Sequence, residues 1–235
     1  MDNIWVYLSA SPLFGLVLTL VFFQIAQGLY RVGHYHPLLN PVAVTVVAIM
    51  AVLLFWQIDY DTYFEGAQFI HFLLGPATVA LAIPLYQYWG TLRRLWLPIV
   101  LAACVGLLVA GLSAYVIAAV LEVSQETLMS LIPKSVTAPV AMGIVEKNGG
   151  IPTLTAAFVV LTGIIGAMFG PWLLAKVGVK DEQVVGIAMG VSAHGLGTAR
   201  AFQISAQAGA FAGLAMALSA FIAAVMLPFV MRALS

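Results

Sequence analysis

The sequence predicts an all-α, polytopic membrane protein of about eight membrane segments, some of them broken or re-entrant. Three observations carry that expectation. Of the 235 residues, 63% are hydrophobic and only 8% charged, with a mean hydropathy of +1.08, whereas a soluble domain carries roughly 25% charged residues. Apolar stretches recur along the chain at about the 20-residue length that a bilayer crossing requires. Glycine, proline and hydroxyl residues cluster inside several of those stretches, where an uninterrupted spanning helix has no need of them.

The N-terminal stretch lacks the basic region of a cleaved signal, and its apolar run outlasts a signal core, so a retained first helix is expected over 5–29, ending before Arg31. A second span, 37–57, opens at "HPLLNP" and closes at "QIDYD". The third, 64–90, contains Gly75-Pro76 and Pro84, each of which removes a backbone donor or loosens the helix. After Arg93-Arg94 comes 95–121, then 126–148, interrupted by "IPKSVTAP". Residues 153–177 carry Gly163, Gly166 and Gly170, 183–204 are interrupted by "SAHGLGTAR", and 208–232 close the series. Within one transmembrane domain over 1–235, 5–29, 37–57 and 95–121 read as scaffold spans. The interrupted helices are 64–90, 126–148 and 183–204, and 153–177 and 208–232 are core spans.

Nine basic residues balance nine acidic ones, so no basic face invites nucleic acid. The single cysteine, Cys104, lies mid-span and forms no internal disulfide. The four histidines show no metal-ligand spacing, and neither a phosphate-binding loop nor a serine-nucleophile motif is present. No enzyme and no cofactor are therefore expected. Arg31 and Arg93-Arg94, separated by two spans, share a side. Lys176 and Lys180 join that side only if one broken segment is re-entrant.

A shift of 57 residues aligns Ser135 with Ser192, Pro171 with Pro228, Pro76 with Pro133 and Pro41 with Pro98. Transporters built from internal repeats place their interrupted helices at such corresponding positions. "GPATVAL", "IPKSVTAP" and "GVSAHGLGTA" thus read as versions of one device, a helix broken at the same depth.

At a break, backbone groups lose their intrahelical partners, which a bilayer tolerates only where the break is buried in protein or faces water. The half-helix that follows presents free N–H groups and the positive end of its dipole, an arrangement suited to a carboxylate. Ser135 and Thr137 precede Pro139, which fits a first helical turn. Gly195 and Gly197 are expected to free the second backbone, with Ser192 offering a hydroxyl and Thr198 capping the continuing helix. Lys134 and Arg200 lie beside the two breaks as intramembrane cations, and His194 can donate a hydrogen bond or carry a proton. Each has an alternative reading. Arg200 can snorkel, Pro133 can mark a loop around Lys134, and His194 can be a packed, hydrogen-bonded histidine. The hydroxyls can bond back to their own helices, and the glycines of "GIIGAMFG" can serve close helix packing.

The segments "LIPKSVTAPVAMGI", "NGGIPTLTAAFVVLTGIIGAMFGPWLL" and "GIAMGVSAHGLGTARAFQ" closely resemble the signature segments of the LrgB/CidB family of bacterial inner-membrane proteins. That family also resembles the C-terminal half of the plant chloroplast glycolate/glycerate translocator. The resemblance covers nearly the whole chain and is strongest from Leu131 to Gln203. It implies a multi-pass inner-membrane protein that moves small 2-hydroxy or 2-oxo monocarboxylates and works with a small holin-like partner of the LrgA/CidA type. The expected architecture is elevator-like, a mobile unit bearing the broken helices against a dimerising scaffold, with proton or cation coupling. A regulator of murein hydrolase activity and autolysis, antiholin-like and without a substrate of its own, is the competing expectation.

Overall fold

The computed structural model describes residues 13–80 and 82–234. Among the described residues the regular structure is helical, with no strand. The chain divides into two compact units with the boundary after Ala80.

The first unit holds α1 (Phe14–Val32), a 3-10 turn (Pro37–Leu39), α2 (Pro41–Phe55), α3 (Tyr60–Phe72) and α4 (Leu74–Ala80). Asn40 starts α2, its Oδ1 accepting the N–H groups of Val42 at 3.0 Å and Ala43 at 3.2 Å. Pro41 follows at the first helical position, where its missing N–H costs nothing. Gly15 lets α1 approach the Tyr63 carbonyl of α3, and Thr19 Oγ1 lies 2.7 Å from the Tyr63 hydroxyl. Residues 5–12 of the expected first span lie outside the described residues, and α1 continues past Arg31 to Val32. The expected interrupted segment 64–90 falls on α3, α4 and the next short helix, and the unit boundary runs through it.

The second unit comprises α5 (Ala82–Gln87), α6 (Trp89–Val120), α7 (Gln125–Leu131), α8 (Ala138–Glu146), α9 (Pro152–Lys176), α10 (Glu182–Ile204) and α11 (Ala206–Leu234). By length and composition α6, α9 and α11 can cross a bilayer, as can α1 in the first unit. Helices α6 and α11 run parallel: Leu92 and Ile99 cluster with Phe211, Ala103 with Ala215, and Gly111 faces Leu227. Their common start is here end A and their common finish end B. Helix α9 runs the opposite way, from a hydrogen bond between Thr155 and Ser130 of α7 to Leu174, packed beside Val185 and Met189.

Between these crossings the chain twice turns back on itself. After α6 finishes at end B, α7 returns inward until Ile132 meets Gly111, and α8 then runs outward again. The closure is explicit: Ile151 N–H donates to Ser130 Oγ at 2.8 Å, and Gly150 lies against both Ser130 and Val145. Residues 125–150 are therefore a re-entrant hairpin from end B. Helix α10 makes a second one from end A. A straight 23-residue helix would hold its ends about 33 Å apart, yet Ser205 Oγ donates to Glu182 Oε2 at 2.7 Å. The fold-back occurs at Ala193 and His194, where the backbone leaves helical geometry, and Gly197 on the returning limb lies against the Met189 carbonyl.

Small residues make this doubling back feasible. Gly186 and Gly190 face the carbonyls of Ala208 and Ala212 on α11, a small-xxx-small pairing that brings two backbones together. On α9, Gly163, Gly166 and Gly170 receive His194, Ala193 and Met189 in turn. The glycines of "GIIGAMFG" thus lie at close helix contacts, the packing role read for them in the sequence.

Each hairpin followed by a crossing helix forms a repeat. The 57-residue shift carries Gln125 to Glu182, and Pro171 inside α9 to Pro228 inside α11. Because the two hairpins enter from opposite ends, the repeats are inverted in topology. Arg93, Arg94, Lys176 and Lys180 gather at end A and Lys147 and Arg232 at end B, so among the described residues of this unit end A carries more of the basic charge.

Two expected outcomes follow from this arrangement. In a Cys104→Ser background, Glu122→Cys and Asn148→Cys react with an impermeant maleimide from one face, and Lys180→Cys and Ile204→Cys from the other. A full crossing by either hairpin would split its pair. Gly190→Ala, whose methyl collides with the Ala212 carbonyl, lowers unfolding stability in detergent by about 1–3 kcal/mol. Gly143→Ala, with open space around its position, is neutral or gains about 0.5–1 kcal/mol.

Candidate functional site

The second break is built around His194. Its φ of 41° and ψ of −128° lie in a region that side chains disfavour, at a cost of about 1–3 kcal/mol that the surroundings must offset. His194 is only 7% exposed, and its Nε2 lies 2.9 Å from the Val159 carbonyl of α9. A carbonyl only accepts, so this bond places a proton on Nε2. The ring rests on Gly163, where a methyl group would fall 2.6 Å from Cε1.

This corrects the expectation that Gly195 and Gly197 open the backbone. The break lies at Ala193 and His194, and both glycines belong to the returning helix. Gly197 supplies close approach, while Gly195 is exposed with open space around it. Thr198 does not cap: its hydroxyl donates to the His194 carbonyl at 2.8 Å and touches Met216 Sδ at 3.7 Å. Ser192 likewise donates to the Ala188 carbonyl at 2.6 Å. Both follow the alternative in which a hydroxyl bonds its own helix. Arg200 lies two turns beyond the fold-back, its Nη1 donating to Gln203 Oε1 at 2.9 Å, toward end A.

At the first break, Lys134 N–H and Val136 N–H close tight turns onto Leu131 and Pro133. Lys134 reaches back to α6, where Nζ donates to the Ala110 carbonyl at 3.0 Å. Ala110 lies ten residues before the end of α6, about 15 Å inside end B. Ser135 is buried. Thr137 stands at the N-cap of α8, where its side chain makes no capping bond. With Pro139 lacking an N–H, the first-turn donors of α8 are those of Ala138 and Val140. Pro139 also lines a cleft of about 400 Å³, which it shares with Gly143, Lys147, Asn148 and Arg232.

The crossing helices bring the two tips to one level. Val136 shares a buried cluster with Val159, the residue whose carbonyl holds His194. On α6, Val191 packs at Gly106 and Lys134 at Ala110, four residues or about 6 Å apart. On α11, Met216 touches Thr198, while Ala223 clusters with Ile132 and Val136. The span 95–121, expected to be scaffold, lies along α6 and its C-cap, and α6 walls both tips. Lys134, Ser135 and Thr137 therefore face the level of Ser192, His194 and Thr198. Lys134 and Arg200, however, end on different partners, the Ala110 carbonyl of α6 and the Gln203 side chain of α10.

Sequence reasoning passed over three features of this region. Ser130, Thr155 and Ile151 lock the base of the first hairpin to α9, Thr155 Oγ1 donating to the Ser130 carbonyl at 3.1 Å. Glu182 and Ser205 clasp the base of the second. Ser219 on α11 is 2% exposed, and its Oγ has no hydrogen-bond partner. The repeat offered a signal for it, since the 57-residue shift pairs Ser219 with Thr162 in "VLTGII".

Comparison with known proteins gives a consistent set. YwbG of Bacillus subtilis, an uncharacterized protein, is 36% identical over 82% of this chain and 85% of its own length. The holin-like protein CidB of Staphylococcus epidermidis is 30% identical over 91% of this chain and 93% of its own. CidB of Staphylococcus aureus is 29% identical over the same shares. No solved structure matches. The model of the LrgB-like family matches residues 19–233, and with opposed re-entrant hairpins accounting for its signature segments, the chain belongs to the LrgB-like family.

Proposed function

We propose that this multi-pass protein is a secondary carrier of small 2-hydroxy or 2-oxo monocarboxylates, of the glycolate, glycerate or pyruvate type, in the bacterial inner membrane. It is not an enzyme and uses no cofactor. One observation carries this reading: two hairpins entering from opposite ends bring their tips to the same level, walled by three crossing helices. In carriers with inverted repeats, substrate binds near mid-membrane where such interrupted helices meet. The start of α8 offers unspent N–H donors and a positive dipole end, and Lys134 adds a full charge within reach. A carboxylate completes that set. Arg200, two turns from the tip, acts at the entrance from end A, and His194 is placed to couple a proton through the strained turn. The chain works as a homodimer.

The relatives favour a second reading. The CidB relatives carry the name holin-like protein, which supports a regulator of murein hydrolase activity acting with an LrgA/CidA-type partner and says nothing of transport. The carrier reading rests on the hairpin geometry and the charge at the tips.

Uptake of labelled glycolate, glycerate and pyruvate into proteoliposomes separates them. Wild type is expected to show saturable uptake. Lys134→Gln, which removes the charge and leaves a polar, slightly shorter side chain, is expected to reduce it by about tenfold or more, equivalent to about 1.4 kcal/mol, and Arg200→Gln by less. Uptake indifferent to Lys134→Gln rejects the site. If no monocarboxylate enters, the carrier reading fails and altered lysis in a deletion strain supports the regulator.

A further inference from the structure

We infer that the Ser219 hydroxyl on α11 contacts the ligand and reads an uncharged oxygen carried beside its carboxylate, a proposal that rests on the carrier reading above. Ser219 is 2% exposed and its Oγ has no partner. A serine inside a helix ordinarily escapes this state by donating to the carbonyl four residues back. In this chain Thr19, Thr45, Ser130, Ser192 and Thr198 all do so, at 2.6–2.8 Å. Ser219 departs from that pattern.

Its position gives the departure a meaning. Three residues before it, Met216 touches Thr198 of the second hairpin, and four residues after it Ala223 packs with Ile132 and Val136 of the first. Ser219 thus stands at the level where the tips meet. The repeat places Thr162 at the corresponding position of α9, half-buried one residue before the glycine that seats His194. A hydroxyl therefore occurs at the same point of both crossing helices.

The chemistry divides accordingly. Lys134 and the N–H groups opening α8 can only donate, which suits a carboxylate. A serine hydroxyl both donates and accepts, which suits an alcohol or keto oxygen and gains nothing from a methyl group. The ligand class is a short carboxylate bearing one neutral oxygen, and Ser219 distinguishes it from the unsubstituted acid. Sites built to bond a substrate hydroxyl reject analogues that lack it, because the buried partner is then left unpaired.

Glycolate and acetate differ by that one oxygen. In proteoliposomes the wild type is expected to favour labelled glycolate, and Ser219→Ala to cut the glycolate-to-acetate uptake ratio by about tenfold or more, with Ser219→Thr between them. Ser219→Ala, flanked by Ala215 and Ala223, should match or exceed the wild-type Tm, since it removes an unpaired buried group. Glycolate uptake by wild type with an unchanged ratio in Ser219→Ala overturns this assignment alone. A wild type that treats the two acids alike also overturns it, and one that carries no monocarboxylate overturns the carrier reading with it.

Discussion

A helix that reverses inside a bilayer exposes backbone groups that hydrocarbon cannot satisfy, and the second unit is organised around covering two such reversals. Close approach is the means. Gly186 and Gly190 admit the Ala208 and Ala212 carbonyls, and Gly163 and Gly166 admit the fold-back residues themselves. A methyl group at any of these positions would push α10 away from α9 or α11. The strained geometry of His194 persists for the same reason, because its ring is held by the Val159 carbonyl and by a glycine floor that no other residue provides.

Much of this was legible in the sequence. Composition and segment length predicted the membrane class, and "IPKSVTAP" and "SAHGLGTAR" marked both reversals. What escaped was direction. A sequence gives the apolar length of a segment but not whether its ends lie on one face, and the deciding contacts, Ser205 with Glu182 and Ile151 with Ser130, join residues 23 and 21 apart in sequence. The residue that turns the chain also escaped. Local propensity favours Gly195 for a positive φ, whereas tertiary packing on α9 imposes it on His194. Thr198 and Ser192 looked like ligand hydroxyls and are spent on their own helices, while the buried hydroxyl of Ser219, unremarkable in "MALSAF", is left unpaired.

The inverted relation between the repeats bears on mechanism. If the two hairpins are equivalent, exchanging their conformations converts access from end A into access from end B without a third element. The bases are pinned by hydrogen bonds, Ser130 with Ile151 and Glu182 with Ser205, while the tips rest on van der Waals contacts and on single bonds from Lys134 and His194. A rearrangement that leaves the bases clasped and shifts the tips along α6, α9 and α11 breaks the fewest interactions.

On the carrier reading, the electrostatics of the first tip gain a role. Lys134 stands about 15 Å inside end B with a helix carbonyl as its hydrogen-bond partner, and among the described residues no carboxylate pairs with it. An intramembrane ammonium without a counterion costs several kcal/mol, and a bundle that only has to fold would replace it by leucine. In the proposed carrier, a small carboxylate would neutralise the cation and satisfy the first donors of α8 together, so the site would be more stable filled than empty. Release of that anion would then require water to reach the tips. Coupling release to hydration from one end at a time would require the hairpins to move, which would give the two opposed reversals a shared purpose.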